Sequence, residues 1–434
     1  MKRILILFAF AWGGVAQETA PLRLTLRDAV NLALNQNPQV VVANLGVARS
    51  EQEREMARSG LLPQVSGNIN EAVHRVNLQA AIGLSFPGFP KHVGPYETSQ
   101  AGVGFEAPVF DLTLWNRYRS SQLGVEASRA QELGAREENV LLVVSQYLGS
   151  QRAAAEVQAA QSRVDLAQAL YDQAADLQAH GVGTGIDTLR ANVQLQNEKQ
   201  RLIVAHTDLD TTLFGLARLL NVDPRRPIEL ADQVSFFETP AAPVDQTIEK
   251  ADAARPELRQ ILAQERQAEL ALRTAGDERL PRFSLSGAWA QLGLRPGNVI
   301  PTYQYQANLD FPIFTGGRIK AQQADSDLAL RQLKQQEQET RNRIALEVKT
   351  AIARLASARG EVDVANQGVG LARQEVDQAR DRYQAGVANN IEVITAQDEL
   401  ARANDNQIAA LYRYNQARAD LAHAAGQIEA LYAQ

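Results

Sequence analysis

The sequence predicts a mainly α-helical protein with a small β part, built as a tandem duplication. Three observations predict it: the placement of proline, a heptad pattern and internal self-similarity. All 16 prolines among the 434 residues lie within 21–108 or 224–312. Because proline breaks helix interiors, the proline-free stretches 109–223 and 313–434 permit very long helices.

Apolar residues in both proline-free stretches follow the spacing of a coiled coil. They alternate three and four residues apart from Val362 to Tyr383, and the same spacing runs from Val157 to Ala174, 205 residues earlier. Alanine occupies every second position of each stripe. Since small residues let helix backbones approach, the pattern predicts closely packed antiparallel coiled coils.

Landmarks recur along the chain at nearly fixed offsets. Asn37-Pro38 matches Arg255-Pro256 at an offset of 218, whereas Gly181 matches Gly386 at 205. Pro63 still matches Pro281 at 218, but Pro108 matches Pro312 at 204, so the offset falls by 14 between them and the first copy carries extra residues around positions 86–90. We therefore expect two repeats, over residues 17–230 and 231–434.

Each repeat is expected to contain an entry helix, a strand pair, a long helix and a return helix. The long helix of the first repeat would measure about 100 Å at 1.5 Å per residue. The expected bounds are entry helices over 25–60 and 248–280, strands over about 64–78, 98–108, 282–291 and 302–312, long helices over about 112–179 and 315–384, and return helices over about 186–220 and 391–425.

The predicted strands alternate apolar with polar residues. Tyr303, Tyr305 and Leu309 alternate with Gln304 and Gln306, for example. Such a pattern is typical both of a half-buried soluble sheet and of a barrel with lipid outside and water inside. Four strands are too few to close a barrel, and open edges are not tolerated in lipid. A membrane interpretation therefore requires several chains to share one barrel.

The N-terminus has the features of a secretory signal peptide. Lys2 and Arg3 precede an apolar run over residues 4–12, and Gly14-Val15-Ala16 supplies small residues before Gln17. The run is about half the length of a bilayer-spanning helix, which disfavours a membrane anchor. We expect residues 1–16 to be removed on export.

Composition argues against several classes of protein. The chain has no cysteine, a formal charge of -6 and no Lys/Arg run of five or more, so we expect no thiol chemistry and no nucleic-acid partner. Its five histidines lack metal-ligand spacing, and none belongs to a nucleophile motif. We expect no cofactor, no metal and no enzymatic activity.

Several motifs resemble the TolC family of outer-membrane efflux proteins, also called outer-membrane factors, over residues 22–430. Their order and duplication make the resemblance specific. The motifs are Leu24-Thr25-Leu26, Asn37-Pro38-Gln39-Val40 and Gly60-Leu61-Leu62-Pro63 near the start, Pro108-Val109-Phe110-Asp111 and Pro312-Ile313-Phe314 before the long helices, and Tyr383, Gly386, Ile391-Glu392-Val393-Ile394 and Ala396-Gln397 around the second turn.

The resemblance implies a homotrimer in the outer membrane, in which each protomer gives four strands to one 12-stranded β-barrel and its helices to a periplasmic tunnel. Such a tube is a passive exit duct, docked by a periplasmic adaptor (membrane fusion protein) and an inner-membrane pump. It would serve tripartite efflux or type I secretion, and drug, metal and protein cargo are all compatible. A periplasmic coiled-coil structural scaffold is the alternative, although it leaves the alternating strands unexplained.

The resemblance also places functional residues at the periplasmic end. Small residues at the two helical turns resemble adaptor-docking tips, although the glycines also suit tight turns without any docking role. Asp187, Tyr383 and Glu392 match a periplasmic gate, in which Asp187 is tethered through Tyr383 and Glu392 forms an acidic ring. Helix capping is the alternative role for both acids. The tip residues are Gly181, Val182, Gly183 and Thr184 in the first turn, and Gly386, Val387 and Ala388 in the second.

Two positions depart from the pattern of some relatives. Ala388 stands where an Arg completes the tether, and Thr395 stands where a second acidic ring occurs. From these departures we expect a looser closed state and one acidic ring instead of two.

Overall fold

The computed structural model describes residues 21–433, apart from 84–87, 89, 233–242, 386 and 389. The expected signal peptide over 1–16, part of the longer loop around 86–90 and the tip residue Gly386 therefore lie outside the described residues. Within the described residues the chain is mostly helical and includes one four-stranded sheet.

The main helices and strands follow one another in the same order in both halves of the chain, and a short helix is added in each half, at Leu78–Ile82 and at Ile428–Tyr432. The helices are α1 Leu26–Gln36, α2 Pro38–Ser59, α3 Leu78–Ile82, α4 Leu112–Ala179, α5 Gly185–Leu220, α6 Val244–Ala254, α7 Pro256–Asp277, α8 Arg318–Gln384, α9 Asn390–Ala424 and α10 Ile428–Tyr432. The strands are β1 Leu22–Leu24, β2 Gln64–Asn77, β3 His92–Phe110, β4 Ile228–Leu230, β5 Arg282–Gly293 and β6 Val299–Asp310.

The expectation of one continuous entry helix in each repeat is wrong. Asn37 separates α1 from α2 with an extended ψ of 126°, and Arg255 separates α6 from α7 with a ψ of 123°. Both residues precede proline, whose ring disfavours the helical conformation of the preceding residue. Each entry segment is therefore two helices joined at an X-Pro step.

The four-stranded sheet is antiparallel throughout and runs in the order β2-β3-β5-β6. Its two central strands come from different repeats. Strand β3 begins at His92 rather than near 98, because it continues to pair with β2 as far as Asn77. Strand β6 spans Val299–Asp310 rather than 302–312, because its pairing with β5 extends from Gly293 to Arg282.

One face of the sheet is apolar and solvent-exposed. Register aligns Gly67, Val103, Trp289 and Tyr303 across the four strands. Ile69 is 90% exposed and Tyr303 74%, so nothing in the described part of the chain covers these side chains of the face. The next row, on the opposite face, aligns small or polar residues: Asn68, Gly102, Ala290 and Thr302.

The chain divides into two compact units. Unit 2 comprises Val42–Ala135 and Arg255–Ala345 and contains the four-stranded sheet. Unit 1 comprises the described part of Met1–Val41, together with Arg136–Ala254 and Leu346–Gln434. Its largest apolar core joins α1, α4, α5 and α10 through buried side chains that include Val30, Val143, Tyr147, Leu216 and Ile428.

Short elements complete unit 1. Strands β1 and β4 form a parallel pair of three residues each, and Thr25 then caps α1 in a capping box with Asp28. The sequence predicted an entry helix from residue 25 and no strand before it. Strands of three residues are too short for a period-2 pattern to reveal.

The coiled-coil stripes are buried as predicted. Val362, Val369 and Val376 on α8 are at most 5% exposed, and Ala160 on α4 is 1% exposed. Apolar side chains of α9, including Tyr414, pack on the α8 stripe. Among the described residues, no helix is both long and apolar enough to cross a membrane.

Candidate functional site

The turn between α4 and α5 is closed by backbone hydrogen bonds at the end of α4. The N–H groups of Val182 and Gly183 donate to the carbonyl oxygen of Leu177 at 3.0 and 2.9 Å. Gly181 adopts a left-handed φ of 74°. A Cβ at Gly183 would lie 3.0 Å from the backbone nitrogen of Gln178. The turn backbone therefore explains both glycines without any ligand.

The turn between α8 and α9 repeats these bonds 205 residues later. The N–H groups of Val387 and Ala388 donate to the carbonyl oxygen of Arg382 at 3.0 and 3.2 Å. Ala388 thus holds the position of Gly183. Val182 and Val387 are 78% and 68% exposed, so both turns present an apolar side chain to the surroundings.

Asp187 lies in the first turn of α5. Its carboxylate accepts a hydrogen bond from the Thr184 hydroxyl at 2.5 Å, and its N–H donates to the Thr184 carbonyl oxygen at 3.1 Å. A carboxylate at a helix N-terminus is also favoured by the helix dipole. Asp187 therefore lies where the helix dipole favours an acid, but α5 begins without a side-chain capping bond to its backbone.

Tyr383 lies near the end of α8 and is half buried. Its ring packs on an apolar cluster that α4, α8 and α9 share, which includes Leu170, Val376 and Val393. Burial, and then the negative charge of Asp187, raise the pKa of the Tyr383 hydroxyl. The structure thus brings Asp187 and Tyr383 within electrostatic reach, while the side-chain hydrogen bond described for Asp187 comes from Thr184.

Glu392 lies in the first turn of α9 and forms an ion pair across the turn. Its carboxylate accepts from Arg382 Nε at 2.8 Å, with both side chains about half exposed. Sequence reasoning missed Arg382. The signal was available, because opposite charges on the two sides of a tight helical turn are brought together. The pair offsets part of the negative charge expected at Glu392.

Thr395 adds no charge to this region, and its hydroxyl donates to the carbonyl oxygen of Ile391 at 2.9 Å. The site therefore consists of two matching turns, with Asp187 bonded to the Thr184 hydroxyl in the first and an ion pair in the second. Among the described residues, no group of three or more His, Asp or Glu side chains is placed to hold a metal ion.

A sheet with one exposed apolar face, in a chain that also contains two long helical hairpins, is the architecture expected of an outer-membrane channel protein. The chain matches the model of the outer membrane efflux protein family over residues 29–222 and 247–427, so it belongs to that family. It is accordingly an outer-membrane duct for efflux or secretion. The resemblance to TolC-type proteins is confirmed.

Curated relatives match almost the whole chain. The alkaline protease secretion protein AprF of Pseudomonas aeruginosa is 24% identical over 423 residues, which cover 94% of this chain and 85% of the relative. The outer membrane efflux protein BepC of Brucella suis is 23% identical over 397 residues, which cover 89% and 82%.

Solved structures share the fold. The CmeC outer membrane channel of Campylobacter jejuni superposes with a TM-score of 0.82 at 19% identity, covering 93% of this chain and 86% of that one. The MtrE outer membrane channel of Neisseria gonorrhoeae, solved in its open state, gives 0.76 at 19% identity and covers 93% and 89%. The predicted fold class, helical with a small β part, is confirmed.

Proposed function

We propose that three copies of this chain form one pore, with a single 12-stranded barrel in the outer membrane and a helical tunnel in the periplasm. The two-faced sheet is the observation that carries the proposal. Strands β2 and β6 are the edges of the four-stranded sheet. Pairing β6 of one copy with β2 of the next would satisfy both edges and turn the apolar face toward lipid.

The duct is passive in this proposal and catalyses no reaction. A periplasmic adaptor would dock at the two helical turns, where Val182 and Val387 are exposed, and an inner-membrane pump would supply the energy. One relative is named for alkaline protease secretion and another for pyoverdine export. We infer that the pump selects the cargo, so one duct design serves drugs, metals or proteins.

Mass measurement tests the assembly. After extraction of the outer membrane with detergent, the particle is expected to contain three copies of the chain and to need detergent to stay in solution. Native mass spectrometry or light scattering with detergent correction measures this number. A particle of one or two chains that is soluble without detergent would support the periplasmic scaffold and overturn the shared barrel.

Asp187, Tyr383 and Glu392 are proposed to restrict the periplasmic end. Asp187→Ala or Tyr383→Phe is expected to raise the conducting fraction in planar bilayers about two- to fivefold, the effect of losing one partly exposed electrostatic contact. Tyr171→Phe is the matched control, because Tyr171 occupies the same kind of seam position on α4 and packs on a separate cluster. Unchanged conductance in both gate variants would contradict the assignment.

The acidic ring is proposed to consist of Glu392 alone, because Thr395 is uncharged. Its field would be weaker than three bare carboxylates produce, since each Glu392 is paired with Arg382 at 2.8 Å. A ring of carboxylates in a narrow pore concentrates cations, and a guanidinium beside each of them reduces that preference.

A further inference from the structure

A buried carboxylate interrupts the apolar packing between α4 and α5. Glu198 on α5 is 3% exposed, although it lies in a helix pair otherwise joined by residues such as Val164, Ala167 and Leu195. Counted along the helices, it lies about 20 Å from the periplasmic turn at 1.5 Å per residue. A buried charge without a partner is costly, so its contacts indicate what it does there.

Two arginines approach Glu198. Arg163 on α4 places its Nε 3.4 Å from one carboxylate oxygen, and Arg201 on α5 places a guanidinium nitrogen 2.8 Å from the other. The Arg163 side chain is 19% exposed and the Arg201 side chain 58%, so the contact with Arg163 is the better shielded from solvent. Water therefore screens the Arg163 contact less, although only the shorter Arg201 contact is a hydrogen bond.

The network then crosses to the second hairpin. A guanidinium nitrogen of Arg163 also lies 3.0 Å from the carboxylate of Asp405 on α9. Gln194 on α5 donates to Glu198 at 3.1 Å and to Asp398 on α9 at 3.2 Å. Two side chains of the α4/α5 hairpin therefore bridge the buried Glu198 to two acids of α9.

The second repeat lacks the matching residues. At the offset of 205, Gly368 stands for Arg163 and Ala403 stands for Glu198. The charges are therefore not a requirement of the coiled-coil design, which the second repeat builds without them. They are an addition at the place where one hairpin meets the other.

We propose that Arg163, Glu198 and Asp405, with Gln194 and Asp398, form a second latch that holds the α4/α5 hairpin to α9 and opposes opening of the periplasmic end. This inference rests on the proposed function as a gated duct. The latch differs from the proposed restriction at the turns, because its contacts lie about 20 Å from the turns, counted along the helices, and involve none of the gate residues.

The test compares a substitution in the latch with a matched substitution outside it. Asp405→Asn removes a contact between the hairpins, whereas Arg402→Gln removes an exposed 3.1 Å ion pair with Glu399 within α9 and leaves the bridge to α5 in place. In planar bilayers Asp405→Asn is expected to raise the conducting fraction about three- to fivefold, as for loss of one partly exposed ion pair, and Arg402→Gln is expected to behave as wild type.

A second measurement keeps the latch testable if Asp405→Asn assembles poorly. Because the chain has no cysteine, Gln194→Cys with Asp398→Cys introduces the only two thiols of each protomer. A short bis-methanethiosulfonate linker between them is expected to abolish opening, and a reductant is expected to restore it. The matched control joins Gln194→Cys to Asn197→Cys, three residues further along the same face of α5, and should leave opening unchanged.

The outcomes separate the latch from the duct. A wild-type particle that forms no conducting pore overturns the proposed function and the latch with it. Conducting pores in which Asp405→Asn matches Arg402→Gln, or in which the linked Gln194→Cys/Asp398→Cys protein still opens, overturn the latch alone. An increase confined to Asp405→Asn, or a reversible block by the linker, supports it.

Discussion

Tyr303→Lys is expected to abolish stable insertion of the protein into the outer membrane. Tyr303 lies on the apolar face of β6, is 74% exposed and stands beside Trp289 on β5. A lysine on the lipid face of a barrel costs about 2–4 kcal/mol near the bilayer midplane, and a three-chain barrel would incur that cost three times. Membrane fractionation followed by gel analysis without heating measures the inserted oligomer.

The adjacent residue provides the control. Gln304 lies on the opposite face of the same strand, in the row that contains Ser66 and Ala288. If that face lines a water-filled lumen, Gln304→Lys is expected to insert as well as wild type and to change only ion selectivity. Equal loss of insertion in both variants, or in neither, would contradict the assignment of lipid to one face and water to the other.

The helical part of the fold follows from local rules, which explains why it is accessible from sequence. No proline interrupts 109–223, and α4 and α5 occupy that stretch at Leu112–Ala179 and Gly185–Leu220. The heptad stripe marks which side of each helix is buried, and Val362 and Val376 are at most 5% exposed. Both signals act between residues close in sequence.

Contacts between distant segments were harder to predict. Pairing of β3 with β5 joins the two repeats across more than 170 residues, and alternation alone does not choose a strand's neighbour. The helix breaks at Asn37 and Arg255 had a local cause, since each precedes a proline, yet the continuous apolar pattern obscured them.

In the candidate site, the positions of the helical turns were predictable from the sequence, and most of the side-chain contacts were not. The repeat located both turns, and the structure confirms that Gly183 and Ala388 hold equivalent places in them. Neither the ion pair of Glu392 with Arg382 nor the hydroxyl of Thr184 on Asp187 was foreseen. The ion pair had a signal in the sequence, since opposite charges lie on the two sides of the turn, whereas the Thr184 contact depends on how the turn orients a hydroxyl, which residue type does not specify. The roles of Asp187, Tyr383 and Glu392 in gating stay predictions.

Tyr147→Ala is expected to destabilise unit 1 by about 3–5 kcal/mol, the range for truncating a large buried aromatic side chain. Tyr147 on α4 is 0% exposed and lies in the largest core of that unit. Its hydroxyl is 3.0 Å from the carbonyl oxygen of Leu24 and 3.2 Å from the carboxylate of Asp232. Burial, and then Asp232, raise the pKa of this hydroxyl, which keeps it protonated as a donor.

Two further variants divide that loss between the ring and the hydroxyl. Tyr147→Phe keeps the ring and is expected to cost about 0.5–1.5 kcal/mol, because the Leu24 carbonyl loses one donor but keeps the Ala231 N–H at 2.9 Å. Asp232→Asn is expected to destabilise unit 1 less than Tyr147→Ala does. In the native protein the Asp232 carboxylate accepts from the Leu26 N–H at 2.6 Å, and the amide oxygen of asparagine can still accept that bond. Thermal unfolding in detergent, followed by circular dichroism, measures the order. If Tyr147→Phe proved as costly as Tyr147→Ala, the stability would come from the hydrogen bonds at β1 rather than from ring burial, and attachment of the N-terminal strand to α4 would control the unfolding of unit 1.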